Sequence, residues 1–172
     1  MIDIHAHILP GMDDGPTTLD QSLEMARIAV GDGIQTMIAT PHCLNGLHVN
    51  WRPNILSACT EFNSILKNHQ IPLKVLPGSE ARLSPEIIEE IENGRLMTLN
   101  DTGRYFFLEL PDQFVPEAVT KLIAHLKKDK ITPIITHPER NMSIQHDRGL
   151  LSDFISSGAL SQVTAASLTG GF

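Results

Sequence analysis

Short apolar runs alternate along the chain with stretches whose apolar residues recur every three or four positions. Ile2 to His5 reads as a short strand. Thr18-Leu19-Asp20-Gln21 has the form of a capping box, and it opens a helix with Leu19, Leu23, Ala26 and Val30 on one face. Gly31 and Gly33 stop that helix, and Gln35 to Thr40 follows as a strand. A helix over 53–69 aligns Ile55, Cys59, Phe62 and Leu66. Leu73 to Leu76 is a strand, followed by a helix with Ser84 as N-cap and Pro85 at its first position. Tyr105 to Leu110 is an aromatic-rich strand. The helix over 116–128 buries Val119, Leu122, Ile123 and Leu126. Thr132 to His137 is a strand, 147–157 a helix, and Leu160 to Thr164 a last strand. Strand and helix therefore alternate about six times, which means parallel strands with helical crossovers, in an open sheet or a barrel.

The 172 residues suit one domain, 1–172, and 41% hydrophobic content can bury a core. No apolar run approaches the roughly 20 residues of a membrane helix. No basic segment leads into an apolar stretch as in a signal peptide, so a cytoplasmic location is expected. The formal charge of -7 argues against nonspecific binding to nucleic-acid backbones. Cys43 and Cys59, without CxxC spacing, support neither a disulfide framework nor a zinc ribbon. A complete (β/α)₈ barrel needs roughly 200 residues or more. The chain stops at Gly170-Gly171-Phe172 just after a strand, so an incomplete barrel, truncated at its C-terminal side, is expected.

Eight histidines accompany one Trp and one Tyr, and their placement carries chemistry. Strand ends carry His5-Ala6-His7 followed by Asp13-Asp14-Gly15, then Thr40-Pro41-His42, Gly78-Ser79-Glu80, the Glu109 embedded in FFLEL, and His137-Pro138-Glu139-Arg140. The C-terminal ends of parallel strands are where βα proteins place active sites. Imidazole and carboxylate are ligands for divalent ions such as Zn²⁺, Mn²⁺ and Fe²⁺. Each residue alone has a plainer explanation: His-x-His arises by chance on an edge strand, His42 suits a loop, and Glu109 suits a structural salt bridge. At successive strand ends the set favours a polynuclear metal site. His48, His69, His125 and His146 read as surface residues, and Glu24 with Arg27 as a solvated helical pair. Cysteine-based phosphatases place Arg six positions after the Cys. Val49 and Ile65 stand there, so that chemistry is excluded.

MIDIHAHILPGMDDGP, TPH, GSE, FFLEL and THPER together resemble the PHP (polymerase and histidinol phosphatase) superfamily, and within it the bacterial CpsB/CapC-type protein-tyrosine phosphatases. The resemblance extends over the whole chain. It implies a distorted (β/α)₇ barrel, here incomplete with about six βα units, that binds up to three divalent ions, usually Mn²⁺, with iron or zinc as alternatives. His5 and His7 match ligands of the first metal, with Glu80 bridging; Glu109 and His137 match the second; Asp14 and His42 match the third. Arg140 matches a phosphate-binding arginine. The implied reaction is hydrolysis of phosphotyrosine by a metal-activated hydroxide, on a capsule or exopolysaccharide tyrosine autokinase. Some relatives assemble through an E-x-x-R motif, matched here by Glu24 and Arg27. Relatives continue past this end with an Asp-x-His segment that supplies further ligands. Two alternatives stay open: a histidinol phosphatase-like phosphoesterase, and a non-catalytic remnant that only binds.

Overall fold

The computed structural model describes residues 1–171. Its strands are β1 (Ile2–Ala6), β2 (Thr36–Ala39), β3 (His42–Cys43), β4 (Lys74–Pro77), β5 (Glu80–Arg82), β6 (Tyr105–Glu109), β7 (Thr132–Thr136) and β8 (Leu160–Gln162). The helices are α1 (Leu19–Gly31), α2 (Arg52–Asn68), α3 (Ile87–Glu92), α4 (Ala118–Lys128), α5 (Met142–His146), α6 (Gly149–Ser156) and α7 (Ala165–Leu168). One sheet has the order β1-β2-β4 and the other β3-β5-β6-β7-β8, and every pairing is parallel.

The two sheets are one curved wall, bent at two points. Thr40-Pro41 separates β2 from β3, and Gly78-Ser79 separates β4 from β5. Thus β2 pairs with β4 in the first sheet, and their continuations β3 and β5 pair in the second. Counting each bent pair as one strand recovers the six βα repeats of the sequence pattern. The result is a partial parallel barrel.

Alternation along the strands sorts residues between two cores. Phe106 and Leu108 join the large cluster under the helices, with Leu23, Phe62, Leu122 and Leu126. Phe107 points the other way and packs with Ile38, Leu99 and Ile134 inside the curve. This parity explains why Glu109 can interrupt an apolar run: it shares the inner side with Phe107, two residues earlier, where the barrel opens into a cleft.

The helix signals are carried out with local changes. Thr18 caps α1, and its capping box with Gln21 is complete. The buried face of α1 is Ser22, Leu23, Ala26 and Ala29, whereas Leu19 is exposed and Val30 half-buried. The stripe is therefore rotated towards smaller residues, which let α1 approach the sheet. The apolar positions expected for α2 and α4 are all buried. Ser84 does not cap α3: the helix begins at Ile87 after a turn, and the Ser84 hydroxyl has no hydrogen-bond partner. His69 and His146 are exposed, but His48 and His125 are half-buried, correcting their surface assignment. His125 lies 3.4 Å from Glu92, and His48 stacks near His42, with ring centroids 6.4 Å apart. No helix among the described residues is long and apolar enough to cross a membrane.

Candidate metal centre

Parallel strands bring all their C-terminal ends to one rim, and there the residues from six strand units meet in a cleft of about 700 Å³. Its lining includes His5, His7, Asp14, His42, Glu80, Glu109, His137 and Arg140. The centre of the arrangement is Glu80, whose side chain is fully buried. Three imidazole nitrogens converge on its Oε2: His5 Nε2 at 3.2 Å, His42 Nδ1 at 3.3 Å and His7 Nε2 at 3.5 Å. His137 Nε2 takes the other oxygen, Oε1, at 2.8 Å. His137 reaches it because its backbone is left-handed, with φ +32°, turning the chain directly after β7.

The other carboxylates extend the cluster. Glu109 Oε2 is 3.4 Å from His42 Nδ1. Asp14 Oδ1 lies 3.6 Å from His42 Nε2 and 3.7 Å from His7 Nδ1. Three sets of donor atoms gather closely enough to share an ion: His5, His7 and Glu80; His7, Asp14 and His42; His42, Glu80 and Glu109. The family resemblance groups Glu109 with His137, whereas here Glu109 lies with His42 and Glu80, and His137 meets the other oxygen of Glu80.

The residues present fit divalent ions. His42 Nδ1, Glu80 Oε2 and Glu109 Oε2 are buried and have no hydrogen-bond partner in good geometry. Orphaned polar atoms are costly, and three facing one another as nitrogen and oxygen donors form a ligand set of the type that borderline cations take.

The electrostatics follow from the same packing. Burial favours the neutral form of Glu80, but the close imidazoles of His137, His5 and His7 outweigh it and hold the carboxyl far below the usual range. Burial disfavours a charged His7, yet Asp13 and Glu80 prevail and push it up to about 10. His42 is raised too, its burial outweighed by Glu109 and Glu80. Cys43, beside His42, is buried, its thiol donates to the Asn50 carbonyl, and burial pushes it up to about 12.

Around these residues stand partners to which the sequence pattern assigns no role, Asp13 among them although it belongs to the rim cluster. Asp13 Oδ2 accepts from His7 Nδ1 at 2.5 Å and from the His42 main-chain N–H at 3.0 Å. Gln162 Oε1 meets His5 Nδ1 at 2.9 Å, joining β8 to β1. Arg82 Nη1 donates to Glu109 Oε1 at 3.3 Å. Gly15 allows the Asp13-Asp14 turn to lie against β1, since a Cβ there would meet the His7 carbonyl oxygen at 2.5 Å.

A partial parallel α/β barrel with histidines and carboxylates clustered at its C-terminal rim, next to an arginine, is the architecture of a metallohydrolase. The chain belongs to the capsular polysaccharide synthesis CpsB/CapC family, whose profile matches residues 1–172. The tyrosine-protein phosphatase YwqE of Bacillus subtilis is 44% identical over the whole chain, which spans 67% of YwqE. CapC of Staphylococcus aureus is 36% identical, again over the whole chain and 67% of its own length. The tyrosine-protein phosphatase CpsB of Streptococcus pneumoniae is 26% identical over 96% of the chain and 68% of CpsB. A crystal structure from the metal-dependent tyrosine phosphatases YwqE and Streptococcus pneumoniae CpsB superposes with a TM-score of 0.95 at 44% identity. It covers 99% of this chain and 68% of the solved one.

Proposed function

We propose that this chain carries the active site of a metal-dependent protein-tyrosine phosphatase, with His5, His7, Asp14, His42, Glu80, Glu109 and His137 as the metal-holding set. The observation that carries the reading is the convergence of four imidazoles on one buried carboxylate, with orphaned donor atoms facing a cleft that Arg140 also lines. Divalent ions held there supply Lewis-acid polarisation of phosphoryl oxygens and a water nucleophile available at neutral pH. Mn²⁺ is the ion proposed, since the mixed imidazole and carboxylate set suits it.

The chain's own residues account for the rest. Arg140 is carried into the cleft by the turn that follows His137. Its planar guanidinium can bind two phosphoryl oxygens together and offset the negative charge that builds during transfer. Glu80 remains ionised throughout the working pH range because its imidazole partners hold it so. The substrate proposed is phosphotyrosine on a bacterial tyrosine autokinase of capsule or exopolysaccharide synthesis, met in the cytoplasm. Glu24 and Arg27, paired at 3.3 Å on an exposed face of α1, are where self-assembly is proposed.

The test compares phosphotyrosine peptide with histidinol phosphate as substrate, with and without Mn²⁺. The proposal expects Mn²⁺-dependent release of phosphate from the peptide, abolished by His5→Ala or Glu80→Gln. Arg140→Lys should lower kcat/KM with metal content unchanged. Preference for histidinol phosphate would reassign the substrate. Protein that retains no metal and hydrolyses neither substrate would be a binding remnant.

A further inference from the structure

We infer that Asp13 is a positioning residue that orients His7 and His42 towards the metal centre, a role distinct from that of its neighbour Asp14. The inference rests on the metal-centre reading above and deepens it. The two aspartates of the Asp13-Asp14-Gly15 turn both approach His7 Nδ1 but differ in burial. Asp14 has a side chain 71% exposed and lies over the cleft, with Oδ1 towards His7 and His42. Asp13 has a side chain 1% exposed and is bonded directly to the His7 ring.

All three contacts of Asp13 serve the site. Oδ2 accepts from His7 Nδ1 at 2.5 Å, which places the proton of that ring on Nδ1 and turns Nε2 towards Glu80 Oε2, 3.5 Å away. An imidazole held by one nitrogen presents the other in a fixed direction, and a carboxylate partner raises its strength as a ligand. The same Oδ2 accepts the His42 main-chain N–H at 3.0 Å, while Oδ1 accepts that of Gly15 at 3.0 Å and closes the turn. His7 follows β1 in one sheet, and His42 opens β3 in the other. One carboxylate therefore fixes, across the bend between sheets, two of the histidines that would hold the metal ions. Three charge-assisted bonds on a buried carboxylate form a rigid joint.

The test uses the whole chain, its Mn²⁺ affinity by titration calorimetry, and ¹⁵N-histidine NMR of the metal-free protein. Wild type should give a far-downfield Nδ1–H resonance from the short His7–Asp13 bond, assigned by its loss in His7→Gln. Asp13→Asn keeps the shape without the charge; Asp13→Glu keeps the charge but displaces it. Both should abolish or shift that resonance and weaken Mn²⁺ binding about 10- to 100-fold, with circular dichroism unchanged. Wild-type affinity in either folded variant, or an unmoved resonance, would overturn the role. A wild-type chain that binds no Mn²⁺ would sink the metal-centre reading instead, and the resonance would still decide whether Asp13 holds His7.

Discussion

Protein stripped of divalent ions with a chelator should lose stability as pH rises from 7 to 9. His7 is the main cause. Its ordinary value of 6.5 is raised to about 10 in the folded chain, because Asp13 and Glu80 outweigh the effect of burial. A raised group stabilises fully below its unfolded value, and that contribution is lost as pH climbs through the folded value. Between pH 7 and 9 the folded protein keeps the His7 proton and the unfolded chain releases it. One proton over two pH steps is worth about 2 to 3 kcal/mol at most, and the partial exposure of the ring trims this. His42, also raised, acts in the same direction. Cys43 and Cys59, pushed by burial to about 12 from 9, join the decline as the pH nears 9, so the histidines dominate between pH 7 and 8. Urea unfolding at pH 7, 8 and 9 measures the slope. His7→Gln should flatten it between pH 7 and 8, and Cys59→Ala should leave that part of it unaltered. Stability that stays level or rises across the interval, or an equal slope in His7→Gln, would refute the argument. Saturating Mn²⁺ should oppose the decline, because metal ligation requires the neutral imidazole.

Gly15→Ala should cost about 1–3 kcal/mol, the range for overpacked sites, because the new Cβ meets the His7 carbonyl oxygen at 2.5 Å and the His7 Cβ at 2.9 Å. Thermal denaturation checks it, and an unchanged Tm would count against the close approach. Gln162→Leu removes the acceptor of His5 Nδ1 and should weaken Mn²⁺ binding by about tenfold; calorimetry at constant pH reads it, and wild-type affinity would rule out an orienting role. Both cysteines are buried and hold their protons at neutral pH, so a thiol-specific disulfide reagent should label them only when urea unfolds the chain. Prompt labelling in buffer would contradict that packing.

The rim residues were legible in the sequence because two simple rules coincide there. Strand periodicity located the strands, and parallel order brings every C-terminal end to one side, so His5, His7, His42, Glu80, Glu109 and His137 could be gathered without coordinates. What was not legible is how the far side of each ring is held. Gln162 is 157 positions from His5, and no local pattern joins them. Asp13 and Asp14 are adjacent and chemically identical; only the turn over Gly15 decides which one is buried. His48 reads as a surface residue, but its loop folds back to set its ring beside that of His42. The continuations β3 and β5, beyond the bends at Pro41 and Gly78, escape the pattern for another reason: His42-Cys43 and Glu80-Ala81-Arg82 are too short and too polar to show strand periodicity, so the strands read from the sequence end at Thr40 and Leu76.

Those bends are what build the site. An unbroken strand from Thr36 to Cys43 would continue in the first sheet, and His42 would leave the cleft with it. Thr40-Pro41 ends the ladder there, since proline offers no N–H for it. Gly78 does the same on the neighbouring strand. A Cβ at that position would meet the Ile38 Cγ2 at 2.9 Å, the Leu99 Cδ2 at 3.2 Å and the Ala39 carbonyl oxygen at 3.3 Å, so the crossing is as tight as glycine allows. Beyond both breaks the continuations pair afresh, with His42 directly opposite Glu80. In the adjoining ladder Glu80 pairs with Phe107, whose ring packs against that of His5 with centroids 4.7 Å apart. The wall therefore turns inward where His42 and Glu80 begin new strands. The buried carboxylate lands among imidazoles from β1, β3 and the end of β7, a meeting that a flat sheet of the same order would not produce.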